Sequence, residues 1–177
     1  GYVLTTSSSS VIIGQNAGVA VLTAAADGSV LIGQSAGAAL TIGQQNTALG
    51  YLAMTSNVQG DKNTAIGYQA LRLMTPADDT GYNTAVGYDA GGAVTTGINN
   101  TIVGSETADA LTIGRYNTAL GFRALTSETI GDRSTAVGDG ALYSQVSDSS
   151  NEDTGNVGLG QEAGYSNVTG TNNTYVG

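Results

Sequence analysis

The residues best able to do chemistry are acidic side chains at two places where the sequence departs from its own period. They are Asp78 and Asp79 within Met74–Tyr82, and Asp148, Glu152 and Asp153 within Tyr143–Gly155. Their carboxylate oxygens are the ligands that a hard cation such as calcium prefers. Neither segment has a fixed calcium-loop spacing, so solvated acidic loops are the alternative. We therefore predict no metal site.

Acidic residues in pairs also cleave glycosidic bonds, and fourteen carboxylates always permit some pair. The chain has no histidine and no cysteine, which removes the commonest general base, thiolate nucleophiles, zinc-thiolate sites and disulfides. There is also no phosphate-binding glycine loop of a known kind. We predict a chain without catalytic residues or cofactors, with a glycan depolymerase as the alternative to be tested.

Two further groups of residues recur at a fixed spacing. An aromatic follows a recurrent glycine at Tyr51, Tyr68, Tyr88 and Phe122. This strip is either a surface that stacks on sugar rings or a structural ladder from coil to coil, and we favour the ladder. A threonine column could bind ice, but in an extended strand it shares its face with aliphatic residues, which disfavours that function.

These groups belong to a repeat that runs through the chain. It reads NTALGYLA at Asn46–Ala53, NTAIGYQA at Asn63–Ala70, NTAVGYDA at Asn83–Ala90 and NTALGFRA at Asn117–Ala124. Six of the nine intervals between its closing glycines are seventeen residues, and the others are nineteen, twenty and twenty-two. A fixed period of this length indicates a repeat architecture. We predict an all-β parallel β-solenoid of about ten 17-residue coils over residues 11–177, preceded by a lead-in segment at 1–10.

Each residue of the motif has a structural reason to recur. The glycine predicts a backbone position with positive φ, and the asparagine predicts a ladder of side-chain amides. A second glycine in each period, for example at Gly43 or Gly114, predicts a second strand that ends there. Alternation places threonine and the aliphatic residue on one face of the strand, and asparagine and alanine on the other. Either face could be the core. If alanine is inside, the aliphatic column needs a partner chain to cover it.

Charge and hydropathy exclude several partners. The net charge is −9 and only five residues are basic, which disfavours nucleic acid and attachment to anionic lipid. No apolar run is long enough to cross a bilayer, so we expect no membrane insertion. The chain begins without methionine and ends inside a repeat, so we expect it to be part of a longer protein.

The runs NTALGYLA, NTAIGYQA and NTAVGYDA resemble glycine-rich repeat segments of phage tail fibres and the heads of YadA-type trimeric adhesins. The resemblance covers about Val11 to Gly177, and this period is longer than that of the adhesin coil. It implies a side-by-side homotrimer that serves as a structural and adhesive fibre segment. The partner would be a host surface glycan or surface protein, and the location a virion tail fibre or the extracellular surface.

Within such a fibre, we expect recognition where the period breaks, because insertions in repeat proteins emerge on one face and often carry binding. The alternatives are a bacterial adhesin head and a self-assembling extracellular filament. The receptor-binding candidates are Asp78, Asp79, Tyr82, Tyr143, Asp148, Glu152 and Asp153.

Overall fold

A computed structural model describes residues 9–20, 27–77, 80–149 and 153–177, and within them the chain forms a parallel β-solenoid of about nine turns. Each of its ten strands has three residues, and together they form one sheet in sequence order, every pair parallel. The strands are β1 (Val11–Ile13), β2 (Val30–Ile32), β3 (Thr47–Leu49), β4 (Thr64–Ile66), β5 (Thr84–Val86), β6 (Thr101–Val103), β7 (Thr118–Leu120), β8 (Thr135–Val137), β9 (Val157–Leu159) and β10 (Thr174–Val176). The predicted all-β parallel β-solenoid is confirmed.

Strand pairing keeps equivalent residues of successive repeats side by side. Thr47 lies beside Thr64, Ala48 beside Ala65 and Leu49 beside Ile66, and this register holds through the sheet. A seventeen-residue coil and the longer ones pair in the same way, because all added residues lie outside the strands. The motif therefore produces columns of like residues along the axis of the rod.

The core lies on the alanine side of the strand. Ala48, Ala65 and Ala119 are fully buried, whereas Leu49 and Leu120 are 42% and 45% exposed. This decides between the two faces that the sequence left open: alanine is inside, and the aliphatic column points outward together with threonine. The same inward column holds Leu31 and Ile102 in two other coils, and both are fully buried.

The rest of the interior comes from the segment after the motif glycine. Alanine three residues after it is buried in most coils, as at Ala53 and Ala124. Larger buried side chains follow four or seven residues after the glycine, among them Leu40, Met54, Leu71, Met74, Val94, Leu111, Leu125 and Leu142. The core is a thin continuous stack in which each coil covers the next.

The prediction of a second strand in each period is wrong for the described residues, where each coil contains one strand. The segments that end at Gly43 and Gly114 are bends. The amides of Thr41 and Ile42 both donate to the Val58 carbonyl of the next coil, at 3.1 and 3.4 Å, so no regular ladder forms there. In one coil Asn57 accepts a hydrogen bond from the amide of Gly60 and donates one to the carbonyl of the same residue, at 2.8 and 3.0 Å.

The predicted positive φ of the motif glycine is confirmed, with +142° at Gly50 and at Gly87. A second restraint adds to it. A side chain on Gly50 would collide with the carbonyl group of Gly67 in the next coil, so the close stacking of coils also requires glycine.

The predicted asparagine ladder is present. The Asn46 side-chain oxygen accepts from the backbone amide of Asn63 at 3.0 Å, and Asn63 does the same for Asn83 at 3.0 Å. The Asn46 side-chain amide donates to the carbonyl of Gly60 at 2.7 Å, across its own coil. Each buried amide thus ties two coils together and closes one of them.

Most of the predicted lead-in segment, residues 1–8, lies outside the described residues. No helix in the described ranges is long and apolar enough to cross a membrane.

Candidate functional site

The aromatic column after the motif glycine forms a stack along the rod. The rings of Tyr51 and Tyr68 are 5.3 Å apart at 17°, and those of Tyr68 and Tyr88 are 5.1 Å apart at 6°. Tyr68 therefore has a ring against each of its faces, and only its edge meets solvent. A sugar stacks on a ring face, so this geometry favours the predicted structural ladder over a glycan platform. Phe122, farther along the column, has the guanidinium of Arg123 at 4.9 Å from its ring centre.

Threonine hydroxyls outside the strands form hydrogen bonds between coils. Thr41 and Thr112 donate to carbonyls of the next coil, Val58 and Thr129, at 3.2 and 2.7 Å. The strand threonines share their outward face with aliphatic residues, as the alternation predicts. Neither column presents a plane made only of threonine.

The two insertions leave the solenoid at the same part of the coil, after the bend that follows the buried segment. The chain returns from each through an isolated parallel bridge, Asp61 with Gly81 and Asp132 with Asp153. Both aspartates that receive the returning chain are nearly buried, and each carboxylate accepts a backbone amide of the preceding coil. The insertions lie four coils apart, about 19 Å along the axis at about 4.8 Å per coil. They are separate surfaces.

The structure places the predicted receptor-binding residues as follows. Asp78, Asp79 and Glu152 lie outside the described residues. Asp148 is exposed, and Asp153 is exposed and forms an ion pair with Arg133. Tyr143 stacks on Tyr165 at 4.7 Å, which gives it a structural role. Tyr82 is 45% exposed, and its hydroxyl accepts from the Lys62 ammonium at 3.2 Å. In the described parts of the chain, no group of three or more acidic side chains could hold a metal ion.

A shallow groove lies beside the first insertion. It is lined by Ala77, Thr80, Thr96, Ile98, Ile113 and Arg115. The isoleucines come from consecutive coils and Ala77 and Thr80 from the insertion. The longer coil thus adds a wall to a face that is otherwise regular.

Sequence reasoning missed three columns of left-handed backbone conformation. They lie two and four residues after the motif glycine, and immediately before the motif asparagine. Leu52, Met54 and Gln45 are examples, with φ between +49° and +57°. This conformation costs a residue with a side chain about 1–2 kcal/mol. A signal was available, since glycine occupies the same columns in other coils, as at Gly28 and Gly37.

Sequence reasoning also missed a buried polar network in the coils around the second insertion. Glu128 is fully buried seven residues after the motif glycine, a place that is leucine, methionine or valine in four described coils and asparagine or glutamine in three others. Its two carboxylate oxygens accept six hydrogen bonds between 2.8 and 3.2 Å. The donors are the amides of Thr129, Ile130, Gly131 and Ser147, the Ser147 hydroxyl and the Gln145 side chain.

The network continues through side chains of the neighbouring coils. Gln145 donates to the Ser134 hydroxyl at 2.8 Å and accepts from Asn156 at 2.9 Å. The Thr154 hydroxyl lies 2.6 Å from that of Ser134. Each of these groups is buried. A buried carboxylate surrounded by donors in this way has a structural function, the closure of an enlarged coil.

A second carboxylate contrasts with Glu128. One oxygen of Asp89 is buried and accepts no hydrogen bond, and the nearby Arg72 has a buried Nε that donates none. Burial raises the pKa of Asp89, the positive charge of Arg72 lowers it, and the negative charges of Asp109 and Glu106 raise it. The balance is a raised pKa, so the folded chain disfavours the charged form.

Comparison with protein-family models, with curated proteins and with solved structures finds no match to this chain.

Proposed function

We propose that this chain is a structural and adhesive segment of a trimeric fibre, of the kind found in phage tail fibres. The single observation that carries the proposal is the apolar column on the outside of the strands. Leu49, Leu120 and Leu159 are each more than 40% exposed. Each of the seven remaining strands adds an isoleucine or a valine at the same position.

The outward column is continuous along the rod. Ten strands at about 4.8 Å give it a length of about 43 Å. Monomeric soluble proteins rarely leave so long an apolar strip open to water, and such strips mark protein–protein contacts. The thin alanine-lined core makes the need greater, because each coil buries little apolar surface on its own. Three rods whose strand faces meet at a common axis would cover all three columns.

The adhesive part of the proposal depends on the insertions. They leave the coil after Met74 and Gln145, each eight residues past the end of the preceding strand, and we expect this part to stay exposed when the strand faces meet. Their returning ends, at Tyr82 and Asp153, lie closer to the strand face. The groove of Ile98, Ile113 and Arg115 offers apolar contact next to a guanidinium whose Nε lies 3.8 Å from the Asp132 carboxylate. Three copies on one rigid rod would bind a surface glycan or protein by avidity even if each contact is weak.

The assembly is tested by sedimentation equilibrium of the folded chain. We expect three times the 17.6 kDa chain mass. The double variant Leu49→Ser, Leu120→Ser should dissociate toward monomer, because it interrupts the apolar column. The matched control is Val58→Ser, which changes a side chain that is 39% exposed on another part of the coil. A wild-type monomer would refute the fibre assembly.

Adhesion is tested by binding of the assembled protein to a panel of immobilised bacterial polysaccharides and to whole bacterial cells. Wild type should bind at least one member, and Ile98→Ser with Arg115→Ala should bind it at least tenfold more weakly. Release of new reducing ends from the polysaccharide would instead support the depolymerase alternative.

A further inference from the structure

Two columns of side chains border the strand face. The pre-strand column contains the residue before the asparagine position: Gln45, Lys62, Tyr82, Asn99, Tyr116 and Arg133. The post-strand column contains the residue after the motif glycine: Tyr51, Tyr68, Tyr88, Ser105, Phe122 and Asp139. The apolar and threonine columns lie between them, so any partner that covers the strand face meets both borders.

The pre-strand column carries large side chains where the backbone favours glycine. All six members are left-handed, with φ from +56° to +61°. Glycine holds the corresponding position at Gly28 and Gly155, with φ of +75° and +56°, so the fold accepts it there. Tyr82 and Tyr116 are nonetheless 45% and 51% exposed. Strained backbone that carries large exposed side chains points to a use outside the single rod.

The pre-strand side chains also contact one another along the rod. Lys62 lies over the ring of Tyr82 at 5.0 Å, and Arg133 lies over that of Tyr116 at 5.4 Å. With the same φ at every level, these contacts give the column a fixed shape. The post-strand column is fixed by its stacked tyrosines. Both borders are ordered before any partner arrives, which lowers the entropy that an interface must overcome.

The two columns have complementary chemistry at each level of the rod. At β4, Lys62 corresponds to Tyr68, a cation with an aromatic ring. At β8, Arg133, which is half exposed and also pairs with Asp153 of its own chain, corresponds to Asp139, an opposite charge. Aromatic residues correspond at β5 and β7, and small polar residues at β6. The remaining pairs are Gln45 with Tyr51, Tyr82 with Tyr88, Asn99 with Ser105, and Tyr116 with Phe122.

These partners cannot meet within one chain. They lie on opposite sides of the strand, and the span from Ser134 to Gly138 alone is about 13 Å at about 3.3 Å per residue. The correspondence therefore has a use only between chains. We propose that the pre-strand column of one rod lies against the post-strand column of a second copy of this chain, parallel and at the same level.

This inference rests on the proposed fibre assembly and adds its direction and register. Rods related by a rotation axis parallel to their length bring each pre-strand column to a neighbour's post-strand column. Antiparallel rods related by a two-fold axis would place the pre-strand column against itself. A shift of one level would place Arg133 opposite Phe122 or Gln161 instead of Asp139. Such a shift would leave Lys62 opposite a ring, at Tyr51 or Tyr88, so the opposite charges of Arg133 and Asp139 are what select the level.

Disulfide trapping tests the register. The chain has no cysteine of its own. The double variant Asn99→Cys, Ser105→Cys uses the level with the shortest side chains, and it should form disulfide-linked oligomers on mild oxidation. The control Asn99→Cys, Gln161→Cys keeps Asp139 and is displaced by three levels, about 14.4 Å, more than a disulfide spans. We expect at least tenfold more linked product from the matched pair.

Charge reversal is a second test of the column pairing, and it does not depend on disulfide formation. Asp139→Lys would oppose Arg133 of the neighbouring copy, and we expect self-association at least tenfold weaker. The matched control Asp148→Lys makes the same change of charge at an exposed residue outside both columns and should leave association unchanged.

The outcomes separate this inference from the proposed function. A trimer that gives no matched cross-link, or equal yields from the matched and displaced pairs, would overturn the column pairing and leave the fibre assembly standing. A matched cross-link in a dimer would support the pairing and refute the trimer. A chain that sediments as a monomer and gives no cross-link would refute both.

Discussion

Two turns of this solenoid have nearly the same sequence and opposite interiors. Leu111-Thr112-Ile113-Gly114 and Glu128-Thr129-Ile130-Gly131 occupy equivalent positions in consecutive coils and differ only in the first residue. Leu111 is fully buried in the apolar stack, and Glu128 is fully buried in a polar network. The same backbone bend thus encloses either kind of side chain.

The difference follows from the coils that come next. The coil after Leu111 keeps the seventeen-residue period. Beyond Glu128, the coil between Gly138 and Gly160 is twenty-two residues long and has Gln145, Ser147 and Thr154 inside. Additional chain brings additional backbone amides, which must be paired when they are buried. Glu128 accepts from one of them, the amide of Ser147, and from three amides of its own bend, and a leucine would leave all four without this acceptor. A long insertion is therefore accompanied by a polar interior.

The shorter insertion shows the limit of that rule. The coil between Gly67 and Gly87 has three added residues and keeps Met74, which is fully buried. Its sulfur accepts a contact from the Asn83 amide at 3.6 Å. An insertion of three residues therefore keeps an apolar core in its coil, whereas the insertion of five residues is accompanied by a polar one.

The largest expected effect comes from Glu128→Leu, which would make the second turn identical to the first. Six donors would lose their acceptor, and we expect the free energy of unfolding to fall by about 3–5 kcal/mol. Urea unfolding followed by circular dichroism measures this. Glu128→Gln is the matched control, because it retains the shape and one acceptor oxygen, and it should cost less than half as much. An unchanged free energy of unfolding in Glu128→Leu would show that the polar network does not stabilise the fold.

The reverse side of the comparison is tested by Leu111→Ala. This removes a fully buried side chain from the regular stack, and we expect a loss of about 2–4 kcal/mol because the neighbouring coils cannot close the cavity. Leu73→Ala is the control, since this leucine is 36% exposed and should cost under about 1 kcal/mol. Equal losses for the two variants would show that the regular coils are not held by their apolar stack.

The sequence predicted the features that repeat as single columns. The NTAxG motif predicted parallel strands, the positive φ of Gly50 and the amide ladder from Asn46, because each of these depends on one residue type in register. The core face stayed open, because alternation alone does not tell Ala48 from Leu49 as the buried side. The left-handed residues Leu52 and Met54 have no propensity for that conformation, so only their alignment with glycines of other coils indicates it.

The candidate site was less predictable for a related reason. The role of Glu128 depends on donors up to nineteen residues away, and an isolated ETIG looks like another LTIG. The second strand was expected because Thr and Ile favour strands. It is absent from the described coils because the segment bends, and two amides of one coil, such as those of Thr41 and Ile42, share one carbonyl of the next instead of forming a ladder.

The smallest expected effect concerns Asp89, whose buried carboxylate oxygen accepts no hydrogen bond, in contrast to the carboxylate of Glu128 with its six donors. Burial raises the pKa of Asp89, so the folded chain holds this proton to a higher pH than the unfolded chain does. Between the two pKa values the folded state binds more protons, and the free energy of unfolding falls as the pH rises through that window.

Asp89→Asn, which cannot ionise and also suits a φ of +51°, should be more stable than wild type at pH 7 by less than about 1 kcal/mol. The advantage should shrink as the pH falls through that window and be gone below about 3.9, where both chains are neutral at this position. Urea midpoints at pH 7 and pH 3 measure the difference, with Asp148→Asn as the exposed control. An advantage that persisted at pH 3 would assign the gain to backbone conformation, and a loss at pH 7 would show that the charge of Arg72 outweighs burial.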